Sequence, residues 1–275
     1  PGIPETSNQH VLVLEYGDPQ SIEIIRERAH EIAAVIIEPV QSRRPELQPK
    51  VFLQELRRAT LDADIPMIFD EIITGFRLHP KGAQGWFDVD VDIACYGKVI
   101  GGGYPIGVIA GKRKYLDALD GGAWRFGDDS FPEVGVTYFA GTFIRHPTSI
   151  AAANAVVKHL QQQGPDLQER TNRAAAILSE RINREYCKRG IPVLINYFGS
   201  VYFPRFYGNP EFDGLYAHHL RYFGAHHIWG GRPGFLTTAH SQEDIDFLVG
   251  AFVSAGEAMQ AGDLLPKFQE VQASY

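Results

Sequence analysis

The chain of 275 residues is 44% hydrophobic and 21% charged, as is usual for a soluble globular protein with a sizeable core. Its formal charge of −7 argues against a nucleic-acid binder, which usually carries a basic patch. No apolar run approaches the ~18 residues of a membrane span, and the N-terminus "PGIPETSNQH" shows no signal peptide. Cys95 and Cys187 form neither a disulfide framework nor a metal-ligand spacing, so we expect free thiols and a cytoplasmic protein.

The first half of the chain predicts helices that alternate with strands. Helical spacing of apolar residues predicts helices at 21–33, with Ser21 as N-cap, and at 51–64. Apolar runs at 34–40 and 65–72 are continuous, which is typical of strands buried on both faces. Two more strands are expected at 92–97 and 105–111. This alternation predicts an α/β sheet covered on both faces.

The second half of the chain has a different pattern. It predicts a helix at 149–164 that ends at Gly164, followed by a helix at 166–189. Residues 191–207 alternate and are rich in aromatics, which indicates antiparallel strands. A last helix is expected at 240–259, where Ser241 and Asp244 are placed as a capping box. We therefore divide the chain near residue 160, with an α/β part at 1–160 and a smaller α+β part at 161–275.

Three charged residues stand at or just after the ends of predicted strands. They are Glu38, Asp70 and Lys98. Ligands gather at the carboxyl ends of the strands of α/β sheets, so these positions are candidates for a functional site. Taken singly, an aspartate there is more often a helix cap or a solvated loop residue, and a lysine is more often a surface group. The prediction of a functional site therefore depends on the three residues occurring together.

Asp70 and Lys98 as a pair fit the chemistry of pyridoxal phosphate. This cofactor needs a lysine to hold its aldehyde and an acid opposite its pyridine nitrogen. A nearby carboxylate keeps that nitrogen protonated, and the lysine can transfer protons once it is released. The three glycines at 101–103 let the backbone pass close to the cofactor.

Several motifs occur in order along this region: "VIIEPV", "IFDEIITGFR", "GAQGWF", "YGKVIGGGYPIGVIAG" and "FAGTF". From about 33 to 155 the chain resembles the class III aminotransferases, fold-type I pyridoxal-phosphate enzymes that include glutamate-1-semialdehyde aminomutase. The resemblance implies that Asp70 pairs with the pyridine nitrogen, Ile72 packs under the ring and Lys98 holds the cofactor covalently. It also implies that Thr142 contacts the phosphate of the neighbouring subunit's cofactor, and hence a homodimer.

A second, narrower resemblance is carried by "EPVQSRRPELQP", "RFGDDSFPEVGVTYFAGTFIRHP" and "GGRPGFLTTAH". These segments are similar to aminotransferase domains built into polyketide synthases and nonribosomal peptide synthetases. That resemblance implies transfer of an amine, from glutamate or a glutamine-derived donor, to a carbonyl on an acyl chain tethered to a phosphopantetheinyl carrier protein. Arg232 is then a candidate for binding the donor's carboxylate or for pairing with Glu38, and a structural ion pair is the alternative. Arg43 and Arg44 are candidates to face the phosphopantetheine or the carrier protein, and the alternative is that they are solvated residues of a loop.

Other readings stay open beside this one. A free-standing aminomutase or ω-aminotransferase would act on a small soluble substrate, and a non-catalytic dimerisation fragment would bind no cofactor. The histidine pairs at 218–219 and 226–227 could mimic a metal site, but no cysteine or carboxylate pattern supports one, and we expect no metal. The family's long preceding segment, which supplies a phosphate-binding Gly-Ser/Thr turn and an aromatic that stacks on the pyridine ring, is not recognisable here. We expect the chain to be a piece of a longer protein or one part of a domain whose other part is a separate chain, and a truncated, inactive relative is the alternative.

Overall fold

The computed structural model describes residue 2, residues 4–206, residue 222 and residues 233–265, which form two β-sheets with helices packed on them. The helices are α1 (Pro19–Glu27), α2 (Lys50–Asp62), α3 (Gly82–Phe87), α4 (Arg113–Leu116), α5 (Pro147–Gln163), α6 (Asp166–Arg189) and α7 (Gln242–Ala261). The strands are β1 (Val35–Ile37), β2 (Met67–Asp70), β3 (Ile93–Tyr96), β4 (Val108–Gly111), β5 (Val193–Phe198), β6 (Val201–Phe206) and β7 (Gly234–Phe235).

The first sheet has the strand order β1-β2-β3-β4. β1, β2 and β3 are parallel, and β4 lies antiparallel beside β3. The connections between the parallel strands contain α2 and α3, as parallel pairing requires a crossover. The carboxyl ends of the three parallel strands therefore meet at one edge, which we call the carboxyl edge. The α/β architecture predicted for this half is confirmed.

Only one face of this sheet is covered by the described residues. Met67 and Phe69 are fully buried in a core that includes apolar side chains of α1 and α2. On the opposite face Ile36 is 68% exposed and Ile109 is 48% exposed. The prediction that these strands are buried on both faces is wrong for the described part of the chain, because the helices that cover the sheet lie on the other side.

The helix and strand limits near the N-terminus also differ from the prediction. Asp18, not Ser21, caps α1: its side chain accepts the N–H of Gln20 at 2.9 Å. Pro19 follows at a position where its missing N–H costs nothing, so Asp-Pro starts the helix two residues before the expected cap. The strand expected at 34–40 is limited to Val35–Ile37.

The second sheet and its two helices agree with the sequence pattern. β5, β6 and β7 are antiparallel in that order, and α6 and α7 supply most of the core beneath them. α6 spans the predicted residues and ends at Gly190, which has a φ of +66°. Both halves of the predicted capping box form: Asp244 N–H donates to Ser241, and Ser241 N–H donates to the Asp244 carboxylate.

Contacts between the two halves of the chain include the segment that follows β2. Gln168 and Asn172 of α6 donate from their side-chain amides to the carbonyl oxygens of Phe76 and Leu78, at 3.1 and 2.9 Å. The ring of Phe198 in β5 lies against aromatic side chains of α3. These contacts fix the residues after β2 relative to the second sheet. The division into domains at residue 160 stays a prediction.

A buried ion cluster holds the opposite, amino edge of the first sheet. Asp92 accepts hydrogen bonds from Arg57 at 2.6 and 3.2 Å, from the Met67 N–H at 2.9 Å and from Lys112 at 3.0 Å. Burial alone raises the pKa of Asp92, but these bonds outweigh burial and hold the pKa well below its usual range. The cluster ties the start of β2 to α2 and to the residue after β4.

Candidate active site

The carboxyl edge brings the three predicted charged residues together. Glu38 follows β1 directly, Asp70 is the last residue of β2, and Lys98 lies two residues after β3. The charges of Asp70 and Lys98 both act on the carboxylate of Glu38. The prediction that the three converge at one edge is therefore confirmed, whereas their individual roles stay predictions.

Asp70 is held with its carboxylate on the open face of the sheet. Its Oδ1 accepts the N–H of Ile72 at 3.1 Å, a contact that turns the chain as the strand ends. Asp70 is paired in register with Cys95 of the neighbouring strand. Burial, with the charge of Asp70 as a second cause, raises the pKa of the Cys95 thiol. The half-buried carboxylate thus faces the open side, where a ligand can reach it.

Glu71, which the sequence reasoning missed, points to the other side and is fully buried. Its carboxylate accepts bonds from the Thr74 hydroxyl at 2.9 Å and from the N–H groups of Ala83 and Gln84 at 2.7 and 3.3 Å. Burial raises its pKa, and these bonds oppose the rise. Because successive strand residues alternate between faces, an acid directly after Asp70 had to enter the core, and this was the available signal.

Lys98 stands at a sharp change of backbone direction. Gly97 is extended, Lys98 has a φ of +49°, and the 3-10 helix Lys98–Gly101 begins there. A non-glycine residue with positive φ is uncommon and is often found at functional sites. The side chain is exposed, and it forms no ion pair with any residue that the structure describes. A Cβ at position 97 would lie 3.4 Å from Ile72 Cγ2, which places Ile72 next to the start of this turn.

At least one of the glycines after Lys98 has a packing role, in addition to the predicted approach of the backbone to a cofactor. Gly102 has a φ of +57°, and a Cβ there would lie 2.9 Å from Val156 Cγ2 of α5. The glycine lets α5 pack closely against the turn that carries Lys98. Approach of the backbone to a cofactor stays a prediction.

The surroundings of Glu38 change its pKa. Burial raises its pKa, and the nearby Asp70 adds to the rise. The N–H of Ser42, at 3.3 Å from Oε1, and the charges of Lys98 and Arg43 act in the opposite direction. An acid with a raised pKa among charged groups at a strand edge is typical of a functional site.

Comparison with known proteins agrees with this geometry. The sequence pattern of the family "Aminotransferase class-III" matches residues 10–193. The chain belongs to the class III aminotransferases. A glutamate-1-semialdehyde 2,1-aminomutase of Desulfitobacterium hafniense is 33% identical over 262 residues, which cover 90% of this chain and 58% of that protein.

Solved structures show the same fold. An omega-transaminase from Sphaerobacter thermophilus superposes with a TM-score of 0.80 at 25% identity, over 94% of this chain and 60% of that one. A transaminase with PLP bound superposes with a TM-score of 0.81 at 24% identity, over 94% and 60%. The chain therefore spans somewhat under two thirds of the length of the relatives it matches.

Thr142 and Arg232 are the two remaining predicted site residues of this class III chain. Thr142 is exposed in the turn before α5, where the N–H of Ile144 donates to the carbonyl of Gly141 at 3.1 Å. Its role at a neighbouring subunit's site stays a prediction. Arg232 lies outside the described residues, and so do the histidine pairs at 218–219 and 226–227.

Two kinds of feature are absent from the described ranges, a metal-binding cluster and a membrane-spanning helix. Residues 4–206 and 233–265 contain no group of three histidine, cysteine or acidic side chains placed to hold a metal ion. Nor does this part of the chain include a helix with the length and hydrophobicity needed to cross a membrane.

Proposed function

We propose that this chain carries the catalytic lysine and its acid in a pyridoxal-phosphate-dependent aminotransferase. The observation that carries the proposal is the convergence of Asp70 and Lys98 at the carboxyl edge of a parallel sheet. Membership of the class III aminotransferases supports it, and so does the fold shared with a transaminase described as PLP-bound.

The residues at this edge fit the cofactor. Asp70 presents a carboxylate on the open face, Lys98 presents an amine with no described ion-pair partner, and Ile72 supplies an apolar surface beside the turn. When bound, pyridoxal phosphate supplies an electron sink for a carbanion next to the substrate nitrogen. Asp70 would keep the pyridine nitrogen protonated. Lys98 would hold the aldehyde and then move a proton between the substrate Cα and the cofactor C4′.

We place the acceptor on a carrier protein. In this proposal glutamate donates the amine, and the acceptor is a keto or aldehyde group of an acyl chain on a phosphopantetheinyl arm. The segments at 38–49, 125–147 and 230–240 support it, because they resemble aminotransferase domains of polyketide synthases and nonribosomal peptide synthetases. Two free thiols, Cys95 and Cys187, support a cytoplasmic setting for such an assembly line.

A second candidate is a free-standing aminomutase or ω-aminotransferase. The names of the Desulfitobacterium relative and of the Sphaerobacter structure favour it. It differs in one testable respect, since it converts a small soluble substrate with no carrier protein. A third, non-catalytic reading as a dimerisation fragment predicts that Lys98 binds no cofactor at all.

We also propose a homodimer in which Thr142 reaches the neighbouring subunit's site. Three exposed aromatic residues of the chain between α4 and α5, the stretch that contains Thr142, support the proposal: Phe126, Tyr138 and Phe143 are at least four-fifths exposed. Large exposed apolar patches often mark protein–protein interfaces. Light scattering of the purified protein tests the dimer, and a monomeric mass at micromolar concentration would contradict it.

Reductive trapping tests the cofactor. The purified protein is incubated with pyridoxal phosphate, reduced with borohydride and digested, and the labelled peptide is located by mass spectrometry. We expect saturable label on Lys98 and its loss in Lys98→Ala, with Lys81, an exposed lysine, as the internal measure of non-specific labelling. Asp70→Asn should keep the label and lose most of the transamination, because the carboxylate acts on the ring nitrogen and not on the aldehyde.

The substrate is tested on a separate, unreduced sample of the protein loaded with pyridoxal phosphate, because borohydride reduction fixes the cofactor to the lysine and abolishes turnover. A β-keto acyl group is offered either on a carrier protein or as the free acid, with glutamate as donor, and aminated product is measured by mass spectrometry. Turnover of the carrier-bound form alone supports the assembly-line proposal. Equal turnover of a free small substrate supports the aminomutase or ω-aminotransferase, and absence of label on Lys98 supports the non-catalytic reading.

A further inference from the structure

The backbone pairing of β2 with β3 ends close to the two candidate catalytic residues. Asp70 and Cys95 are the last pair in register. One residue further, the N–H of Glu71 donates to the carbonyl oxygen of Cys95 at 2.9 Å. Lys98 lies three residues beyond Cys95, so its position relative to Asp70 also depends on contacts made past the end of this pairing.

Glu71, the residue directly after Asp70, ties the end of β2 to the start of α3. Its buried carboxylate accepts the N–H groups of Ala83 and Gln84 at 2.7 and 3.3 Å, and the hydroxyl of Thr74 at 2.9 Å. These groups come from both ends of the segment between β2 and α3. The carboxylate therefore closes that segment into a loop whose two ends are fixed at the same point.

The side chain of Gln84 continues the connection from α3 to the end of β3. Its amide nitrogen donates to the hydroxyl oxygen of Tyr96 at 3.1 Å, and its amide oxygen accepts the N–H of Val91 at 3.3 Å. Tyr96 is the last residue of β3 and lies two residues before Lys98. We call this connection the Glu71–Gln84–Tyr96 network. It joins the residue after the candidate acid to the strand end that carries the candidate lysine.

The ring of Tyr96 packs on the same segment that Glu71 closes. A Cβ at position 75 would lie only 2.6 Å from Cδ1 of the ring, so Gly75 is the residue that admits it. The ring of Phe76 lies 5.2 Å from the ring of Tyr96, measured between centroids. Tyr96 thus contacts the chain after β2 through its ring and contacts α3 through its hydroxyl.

The network is a costly way to join two strands. Burial raises the pKa of the Glu71 carboxylate, and its hydrogen bonds oppose the rise without cancelling it. A buried carboxylate costs free energy that an apolar side chain at the same place would not cost. Such a residue is expected where it serves a site as well as the fold.

We propose that Glu71, Gln84 and Tyr96 are positioning residues, which hold the carboxylate of Asp70 and the amine of Lys98 at the separation that one bound cofactor requires. The proposal rests on the proposed function, from which it takes the roles of Asp70 and Lys98. Each positioning residue acts through the backbone of a strand end and not on the cofactor. Functional groups need to be held to within about 0.5 Å by the residues behind them, so the loss of one bond in the network should be measurable at the site.

Borohydride labelling of Lys98, measured over a range of pyridoxal phosphate concentrations, tests the proposal without turnover. Tyr96→Phe keeps the ring and loses only the hydroxyl, and Gln84→Met keeps the length of the side chain and loses both amide bonds. We expect each variant to raise the half-saturating concentration about threefold to tenfold, the effect of weakening one hydrogen bond to a charged group. Melting temperatures establish that each variant is folded at the assay temperature.

Tyr186→Phe is the matched control. The hydroxyl of Tyr186 donates to the carbonyl oxygen of Phe252 at 2.6 Å in the core beneath the second sheet. Its loss should lower the melting temperature at least as much as Tyr96→Phe does, because Tyr186 is fully buried. The half-saturating concentration for label on Lys98 should stay that of the wild type.

The background of Asp70→Asn separates positioning from a general loosening of the fold. If the network acts by placing the Asp70 carboxylate, Tyr96→Phe should change the half-saturating concentration less than about twofold once that carboxylate is gone, since the two changes act on one interaction. A variant that only loosened the fold would weaken binding by the same factor in both backgrounds.

Three results would overturn the positioning role: unchanged half-saturation in Tyr96→Phe and Gln84→Met, an equal rise in Tyr186→Phe, or an equal effect of Tyr96→Phe with and without the Asp70 carboxylate. In each of these cases label on Lys98 leaves the proposed function standing. Absence of label in the wild type is a different outcome, which overturns the proposed function and the positioning role together.

Discussion

Replacement of Asp92 by asparagine should destabilise the protein strongly while leaving the carboxyl edge intact. Asp92 and Arg57 are 8% and 9% exposed, and the aspartate receives two bonds from the guanidinium at 2.6 and 3.2 Å. An asparagine can still accept one hydrogen bond, such as that from the Met67 N–H. Its side chain, however, has an NH2 group in place of one carboxylate oxygen, and this group is itself a donor that faces the N–H donors of Arg57. The positive charge of Arg57 is then left without a counter-charge from residue 92.

The expected loss follows from this burial. Breaking a buried ion pair by removing one partner costs about 3–5 kcal/mol, because the other charge stays buried without compensation. Native proteins are stable by only ~5–15 kcal/mol, so the loss is a large part of the total and corresponds to a melting temperature lower by about 10 °C. The double variant Asp92→Asn with Arg57→Met removes the stranded charge and should recover part of the loss.

Urea unfolding at pH 7 measures the effect. Asp64→Asn is the matched control, because Asp64 makes a 2.7 Å ion pair with Lys114 but is 83% exposed, and exposed pairs contribute little. The folded-state pKa of Asp92 is depressed, so its stabilisation is present above the unfolded-state pKa of about 3.9 and is lost as the pH falls below it. The reasoning is refuted if Asp92→Asn costs no more than Asp64→Asn, or if Arg57→Met adds to the loss.

Two further predictions concern the site. Glu38→Gln should raise the melting temperature at pH 7 to 8, and the melting temperature of the variant should fall less as the pH rises. Burial and the charge of Asp70 raise the folded-state pKa of Glu38. The stability that the protonated carboxyl allows is therefore lost as the pH rises through that folded-state pKa. Parallel pH dependences in melting experiments from pH 5 to 8 would contradict this. Gly82→Ala should cost about 1–3 kcal/mol in urea unfolding, because Gly82 has a φ of +62° and a Cβ would overlap the Glu71 carboxylate. Gly107→Ala, which meets nothing within 4 Å, is its control and should change little.

The second half of the fold could be predicted because its signals are local. α6 lies between Pro165 and Gly190, and the glycine takes the positive φ that ends the helix. The β5–β6 pair turns at Gly199, which also has positive φ. β1 shows the opposite case. All three residues of β1 are apolar, so the sequence does not distinguish the covered face of the strand from the open one. It therefore could not predict that Ile36, on the open face, is 68% exposed.

The site divides in the same way. Asp70 and Lys98 could be located from the rule that ligands gather at strand ends, which needs only strand limits and chain order. Arg43 and Arg44 share one local pattern, but of the two only Arg44 lies within 4.0 Å of the Glu15 and Glu46 carboxylates. The contact with Glu15 depends on how the chain before α1 packs against this loop, which the local pattern does not give.

The two edges of the first sheet differ in what their charges do to stability. At the amino edge Asp92 is matched by hydrogen-bond donors and its pKa falls, so its charge stabilises the fold. At the carboxyl edge the pKa of Glu38 rises and Lys98 takes a positive φ, both of which cost stability. Residues that lower the stability of the fold are expected to persist where they serve the binding of a ligand. The strain at Lys98 and the repulsion at Glu38 therefore point to the same edge as the resemblance to the aminotransferases, and they do so independently of it.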